Sequence, residues 1–275
     1  EMLLIAMPSI NNQQMQRVVE LCETTHLPFR TVPRLKDVIE GRSAFNQLKE
    51  VAIDDLLGRD PVSLDWTAIR EGLSGRRVLV TGGGGSIGAE LCRQVARLGA
   101  SSLTVVEISE YNLYRIEREL RNAYPELLFT GVLVDCGDAV AMQRAFAETQ
   151  PQVVFHAAAY KHVPMLQEQS REAVRNNVLA TQTLALAAIR HQVETFVLIS
   201  SDKAVNPTNV MGASKRIAEM VCQSLAREST TRFITVRFGN VLDSAGSVVP
   251  LFREQIQRGG PVTVTHPEVT RYFMT

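Results

Sequence analysis

The sequence lacks a surplus of charge of either sign: Lys plus Arg and Asp plus Glu both number 29 in 275 residues, for a net charge of zero. That balance gives no general field to hold nucleic acid or an anionic membrane surface, so no nucleic-acid partner is expected. It leaves room for a local basic pocket around a diphosphate. Cysteine is scarce too. Cys22, Cys92, Cys136 and Cys222 are never spaced like a metal clip or a redox pair, so free, mostly buried thiols are expected and no metal site is. No apolar run approaches the ~20 residues a membrane span needs, which makes the stretch read as soluble. Internal repeats and low-complexity tracts are missing as well. The chain opens on the strand-like Glu1-Met-Leu-Leu-Ile-Ala-Met7 and stops at Arg271-Tyr-Phe-Met-Thr275 without a finishing element. We therefore expect an internal piece of a longer protein.

What is present is ordinary globular sequence, 45% hydrophobic and 21% charged, long enough for one large domain or two modest ones. Two segments separate, 1–73 and 74–275. The first offers a strand over 3–7, a helix over 12–25 and a strand around 29–32. A third strand or extended run at 51–53 and a capped helical turn at 54–58 follow, with linker punctuation at 58–61 and 72–75. In the second segment strands over 78–81, 103–107, 128–134, 153–156, 195–200 and 233–238 alternate with helices beginning near Ser86, Tyr111, Asp138, Met165 and Val210. Each strand is an almost unbroken apolar run, as expected where both sheet faces are covered. Regular alternation predicts an α/β fold with right-handed crossovers and a doubly wound parallel sheet.

At the first strand-to-helix turn, Gly82, Gly85 and Gly88 have the spacing Gly-x-x-Gly-x-x-Gly. Gly82 permits the tight turn, Gly85 lets backbone approach a pyrophosphate, and Gly88 lets helix pack close to strand. The helix that follows, from Ser86 and Ile87, points its amides and positive dipole end at the phosphates. Glu107 ends the second strand, about the ~20 residues downstream that a dinucleotide fingerprint expects. Its carboxylate suits the ribose 2′-hydroxyl of NAD and repels the 2′-phosphate of NADP. Asp135 and Cys136, after the third strand, are placed by the adenine, and Ala157, Ala158 and Ala159 offer small side chains where the cofactor passes.

Several blocks carry a resemblance: Thr81-Gly-Gly-Gly-Gly-Ser-Ile-Gly88, His156-Ala-Ala-Ala-Tyr-Lys-His-Val-Pro164, Asn176-Asn-Val-Leu-Ala-Thr181, Arg237-Phe-Gly-Asn-Val241 with Ser247-Val-Val-Pro250, and above all the run from Ser200 to Lys215. They resemble the large, membrane-anchored nucleotide-sugar 4,6-dehydratases of bacterial polysaccharide and glycan biosynthesis, which are extended short-chain dehydrogenase/reductases (SDRs). The resemblance covers essentially everything after residue 75. It implies an NAD-dependent hydro-lyase acting on a UDP-sugar, UDP-N-acetylglucosamine first, for surface polysaccharide, lipopolysaccharide or other glycans. It also implies that residues 1–73 end a preceding Rossmann-like domain and that a substrate lobe follows residue 275. Membrane helices would lie upstream, with the protein on the cytoplasmic side of the inner membrane. A homodimer or higher homo-oligomer would form through helices over 165–190 and 210–227.

The block from 200 to 215 departs from the ordinary dehydrogenase. Where most short-chain dehydrogenases have Tyr-x-x-x-Lys, this chain has Met211-Gly-Ala-Ser-Lys215. Lys215 is kept, but a methionine takes no proton. Asp202-Lys203 follows the fifth strand directly, where α/β sheets present catalytic groups. Dehydration of a hexose needs oxidation at C4, removal of the acidified C5 proton, protonation of the departing C6 hydroxyl and return of hydride to C6, and an adjacent acid and base suit the elimination. The resemblance assigns Asp202 as acid at the C6 oxygen and Lys203 as C5 base, with Asp202 raised and Lys203 lowered in pKa by burial. It has Ser201 hydrogen-bond the C4 hydroxyl and Lys215 hold the nicotinamide ribose. For the C4 proton two acceptors stand, a water and Asp202 itself. Tyr160, Lys161 and His162 are expected along the sugar pocket, with a purely structural His162 as the alternative. Asn240 is expected at the diphosphate and Arg271 at a phosphate. Two other functions compete. A nucleotide-sugar 4-epimerase needs a tyrosine at 211, and a catalytically impaired NAD-binding module predicts decay at Ser201, Asp202, Lys203 and Lys215, all of which are present.

Overall fold

The computed structural model describes residues 2–7, 9–32, 64–242, 244, 247–264, 268, 270 and 272–274. The strand and helical turn expected within 51–58, and the punctuation at 58–61, lie outside them. The chain divides into two compact units, one of Glu1–Leu64, Asn240–Leu242 and Glu268–Thr275, the other of Asp65–Gly239 and Asp243–Pro267.

In the smaller unit, β1 (Leu3–Ile5) and β2 (Phe29–Thr31) pair in parallel on either side of helix α1 (Asn12–Glu23) in the sequence. Asn11 starts that helix with a capping box, its side chain accepting from Gln14 N while Gln14 reaches back to the Asn11 amide. Ile5, Met15 and Val19 form its small core.

The larger unit opens with α2 (Trp66–Leu73), capped by Asp65, whose side chain accepts from Ala68 N. A helix running into Gly72 was not expected there; the Asp65 cap outweighs the glycines behind it. The main body then runs β3 (Arg77–Thr81), α3 (Ser86–Arg97), β4 (Ser102–Glu107), α4 (Glu110–Ala123), β5 (Leu128–Leu133), α5 (Ala139–Thr149), β6 (Val153–His156), α6 (Val163–Glu168), α7 (Ser170–Ala173), a π-helical turn Val174–Leu179, α8 (Ala180–Arg190), β7 (Thr195–Ser201), a 3-10 turn Asp202–Ala204, α9 (Val210–Ala226) and β8 (Arg232–Phe238). Two short strands, β9 (Asn240–Val241) and β10 (Phe273–Met274), pair in the smaller unit, and α10 (Val248–Gln257) belongs to the larger one.

Six parallel strands lie in the order β5-β4-β3-β6-β7-β8. This is the doubly wound order, and the strand sequence reverses between β3 and β6, so a crevice opens at their carboxyl ends. The period-2 pleat divides the core. Val78 and Val80 join Leu103, Val105 and the α3–α4 side chains on one face. Leu79 joins Val154, Phe196, Leu198 and residues of α5, α8 and α9 on the other. Burial of each such side chain contributes about 1.5–3 kcal/mol, so the strand ends that carry the site stand on a stiff floor.

Two expectations are corrected. Not every strand is covered on both faces: Leu128 and Leu133 of edge strand β5 are 71% and 55% exposed. And the single helix expected over 165–190 is broken. Gln169, at φ −118° and ψ 52°, ends α6, and the π-helical turn widens the next stretch where Asn177 turns inward. Among the described residues no helix is long and apolar enough to cross a membrane.

Candidate active site

The glycine-rich turn leaves β3 at Gly82, which has φ +64° and whose Cβ, if it had one, would lie 2.7 Å from the Ala158 backbone after β6. A Cβ on Gly88 would sit 2.0 Å from the Gly82 carbonyl oxygen, so α3 packs against its own turn at a distance that only glycine allows. Gly85 starts α3 without a side-chain cap, and Ser86, Ile87 and Gly88 form its first turn. Glu107 is buried, and its carboxylate gathers the turn: Oε2 accepts from Gly84 N at 3.0 Å, Oε1 from Ile108 N and Ser109 N at 3.1 Å each. A carboxylate has about four lone-pair positions, so room remains for one hydroxyl donor.

A cleft of about 200 Å³ lies at this switch point, lined by Gly82, Gly85, Glu107, Asp135, Cys136 and Ala157–Ala159 among others. Asp135 Oδ1 accepts from Gly137 N at 2.8 Å, which fixes the turn after β5. Burial pushes the Cys136 thiol up to about 12, so it lines the wall as a neutral group. The side-chain-free turn, the alanine floor and the Glu107 carboxylate form a cradle whose shape and polar groups fit a dinucleotide.

Below the cleft a buried chain of hydrogen bonds ties three elements together. His156 Nδ1 meets Thr81 Oγ1 at 2.7 Å and Nε2 meets Thr181 Oγ1 at 2.9 Å, while the Thr181 hydroxyl donates to the Asn177 carbonyl at 2.8 Å. With its only proton spent there, Thr181 must accept from His156 Nε2–H, so Nδ1 accepts from Thr81. The ring is neutral: burial, with the Lys215 charge behind it, lowers its pKa to about 3. Asn177 continues the tether, accepting from Tyr160 N at 2.9 Å and donating to Tyr160 O and Ser214 Oγ at 3.0 Å each.

The second turn of interest follows β7, beside β6 in the sheet. Ser201 ends the strand and caps the 3-10 turn, accepting from Lys203 N at 3.2 Å. Asp202 Oδ1 accepts from Ser201 Oγ and from Lys203 Nζ, both at 3.0 Å, so the three side chains share one oxygen. Asp202 and Lys203 are 29% and 24% exposed. Gly212 lets this turn rest on α9, since a Cβ there would lie 2.2 Å from the Lys203 carbonyl oxygen. Met211, 3% exposed, packs with Leu166 and Ala173. Lys215 is buried and donates from Nζ to Ile199 O at 2.8 Å; burial lowers its pKa to about 8 against the opposing pull of Glu219.

The remaining expected residues are more scattered. Lys161 and His162 are exposed after β6, with His162 at the start of α6, and partial desolvation lowers the Lys161 pKa. Asn240 begins β9 in the smaller unit, and Arg271 lies outside the described residues. Sequence reasoning assigned no role to Asn177, Glu219 or Gly212. Glu219 had a readable signal: it recurs at helical spacing with Met211, Lys215 and Cys222, the lone acid on that stripe.

Comparison with known proteins follows the same lines. The family described as polysaccharide biosynthesis protein matches over residues 78–275. The capsular polysaccharide biosynthesis protein CapD of Staphylococcus aureus is 46% identical over 275 residues, covering 99% of this chain and 46% of that protein. The chain thus spans about half the length of that relative. A UDP-glucose 4-epimerase of Rickettsia rickettsii is 35% identical over 211 residues, covering 73% of this chain and 59% of that protein. Among solved structures, Pen from Bacillus thuringiensis is 35% identical at a TM-score of 0.69, covering 74% of this chain and 64% of that one. With a doubly wound sheet, a glycine-rich turn at its switch point and a family match over most of its length, the chain belongs to the polysaccharide biosynthesis protein family.

Proposed function

We propose that the protein is an NAD-dependent nucleotide-sugar 4,6-dehydratase, with UDP-N-acetylglucosamine as its first candidate substrate. The observation that carries this reading is the shared oxygen of Asp202, held by Ser201 and Lys203 at the end of β7. Bound in the cleft, NAD would supply the acceptor and later the donor of a hydride. Glu107 supports NAD over NADP, because its free lone pair suits a 2′-hydroxyl and its charge opposes a 2′-phosphate.

In this reading Ser201 hydrogen-bonds the sugar C4 hydroxyl and passes its proton to Asp202 across the 3.0 Å contact. Lys215 favours that loss through its nearby positive charge. Oxidation at C4 leaves the C5 hydrogen acidic. The reading requires an unprotonated Lys203 to take that proton while Asp202 gives its own to the C6 oxygen, and water leaves. The side chains are then carboxylate and ammonium, the ion pair found here at 3.0 Å. Lys203 would then return a proton to C5, and the cycle would close with Asp202 ionised.

A 4-epimerase is the second reading, favoured by the Rickettsia relative. Against it, Met211 is packed in the core where a tyrosine would have to cycle the C4 proton. The substrate lobe is assigned to sequence beyond residue 275, and residues 1–73 to the end of a preceding Rossmann-like domain. The same reading puts membrane helices in sequence before residue 1 and the catalytic domain on the cytoplasmic side of the inner membrane. The test is incubation of the full-length protein with NAD⁺ and UDP-N-acetylglucosamine in deuterated water, followed by mass spectrometry and proton NMR. Loss of one water, a new C6 methyl and deuterium at C5 are expected. A sugar changed only in configuration at C4 would point to the epimerase.

A further inference from the structure

Glu219 is fully buried on α9, an expensive place for a carboxylate unless it is well paired. It is heavily paired. Arg237 of β8 grips it with both arms of its guanidinium, Nε to Oε1 at 2.9 Å and Nη2 to Oε2 at 2.6 Å. Arg216 adds a bond at 3.0 Å and Ser200 Oγ one at 2.6 Å. Burial alone would raise the pKa of Glu219, but these hydrogen bonds outweigh it and hold the group at about 2. Stability does not require such an arrangement, since well-packed apolar groups often replace buried ion clusters without loss.

Its neighbours suggest a purpose. Lys215 lies one helical turn earlier on the same buried face. Its ammonium donates to Ile199 O, and the next residue, Ser200, donates to Glu219. Two consecutive residues of β7 thus hold both charges, immediately before Ser201 and Asp202. The other charged or titratable groups around Lys215 are His156 at the end of β6, Arg237 on β8, Asp202 and Lys203 after β7, and Arg216 and Cys222 on α9. Burial disfavours the Lys215 ammonium and the Glu219 carboxylate opposes it, so without Glu219 burial would drive Lys215 toward the neutral amine.

We propose that Glu219 is a positioning residue that keeps the Lys215 ammonium charged and turned to the end of β7, with Arg237, Arg216 and Ser200 fixing the carboxylate for that task. The part Lys215 plays in turnover rests on the dehydratase reading; the coupling of the two side chains does not, and it is measurable without turnover.

The experiment is competitive acetylation of the full-length protein with isotopically paired acetic anhydride from about pH 6 to about pH 10, read by mass spectrometry at the Lys215 peptide. The unmodified protein should show a midpoint at about 8. Glu219→Gln should move it down by about one pH unit, a tenfold change in the ammonium-to-amine ratio, and Glu219→Asp should restore part of the shift. Arg237→Gln should move the midpoint up, because a cation is lost and the carboxylate's field is less shared. A folded Glu219→Gln protein with an unchanged midpoint, or both variants shifting the same way, would overturn the proposal. If Glu219→Gln does not fold, Arg237→Gln decides alone, and no upward shift counts against coupling. Shifted midpoints in a protein that forms no 4-keto sugar would leave the coupling standing and remove the dehydratase reading instead.

Discussion

Two turns at the carboxyl ends of neighbouring parts of one sheet use opposite materials. The turn after β3 is nearly all backbone: its glycines approach Ala158 and each other at distances that exclude any Cβ. The turn after β7 is made of side chains, Ser201 and Lys203 on one oxygen of Asp202, with Lys215 and Glu219 behind it. A backbone cradle presents amides and the end of a helix dipole to a charged ligand, and substitution there disturbs shape first. A side-chain cluster moves protons, and substitution there can spare the fold while ending the chemistry. In the proposed reading, recognition of the cofactor rests on sterics and the reaction on proton positions.

That contrast breaks most visibly at Asp202 and Lys203. Asp202→Asn and Lys203→Ala should each lower dehydration by about 10²–10⁴-fold, the usual worth of a positioned acid or base. NAD affinity by calorimetry and the melting temperature should stay near those of the parent. At the other turn, Gly88→Ala should cost about 3 kcal/mol of stability and abolish NAD binding, because the new methyl meets the Gly82 carbonyl at 2.0 Å. Urea titration and calorimetry read both quantities. A third prediction concerns His156, beneath the cleft. Its pKa falls from 6.5 unfolded to about 3 folded, so the unfolded chain binds the extra proton between those values. The neutral ring's contribution is therefore complete above pH 6.5 and is lost as pH falls toward 3. Urea unfolding at about pH 4 should show ~3 kcal/mol less stability from this residue than at about pH 7, and a His156→Gln protein should lack that part of the slope. The smallest effect is expected at Met211. Met211→Leu should cost less than about 1.5 kcal/mol and leave kcat nearly unchanged, in keeping with a packing role.

The glycine-rich half of the candidate site was legible because sterics leave local traces. Gly82, Gly85 and Gly88 lie between two strands whose apolar runs are unmistakable, Glu107 ends the second of them, and the structure places all four on one cleft or its supporting helix turn. The half around Asp202 was legible only in part. Asp202-Lys203 stood out as charge at a strand end, but their meeting on one oxygen with Ser201 depends on a 3-10 turn that no pattern announces. Asn177 was unreadable because its inward aim needs a π-helical turn inside an apparently continuous helix. Helix α2 was not expected because Gly72 and Gly75 read as linker punctuation, and the cap that starts it is a single residue, Asp65. The β5 edge was misjudged for a different reason: apolar sequence does not tell a central strand from an edge strand.

The most direct measurement uses UDP-N-acetylglucosamine carrying deuterium at C4, turned over by the full-length protein with NAD⁺ in ordinary water. The account predicts that the deuterium is recovered in the C6 methyl of a 4-keto sugar, the hydride having left C4 and returned two carbons away after water departed. Deuterium recovered at C4, with that centre inverted and the C6 hydroxyl intact, would contradict it and establish a 4-epimerase.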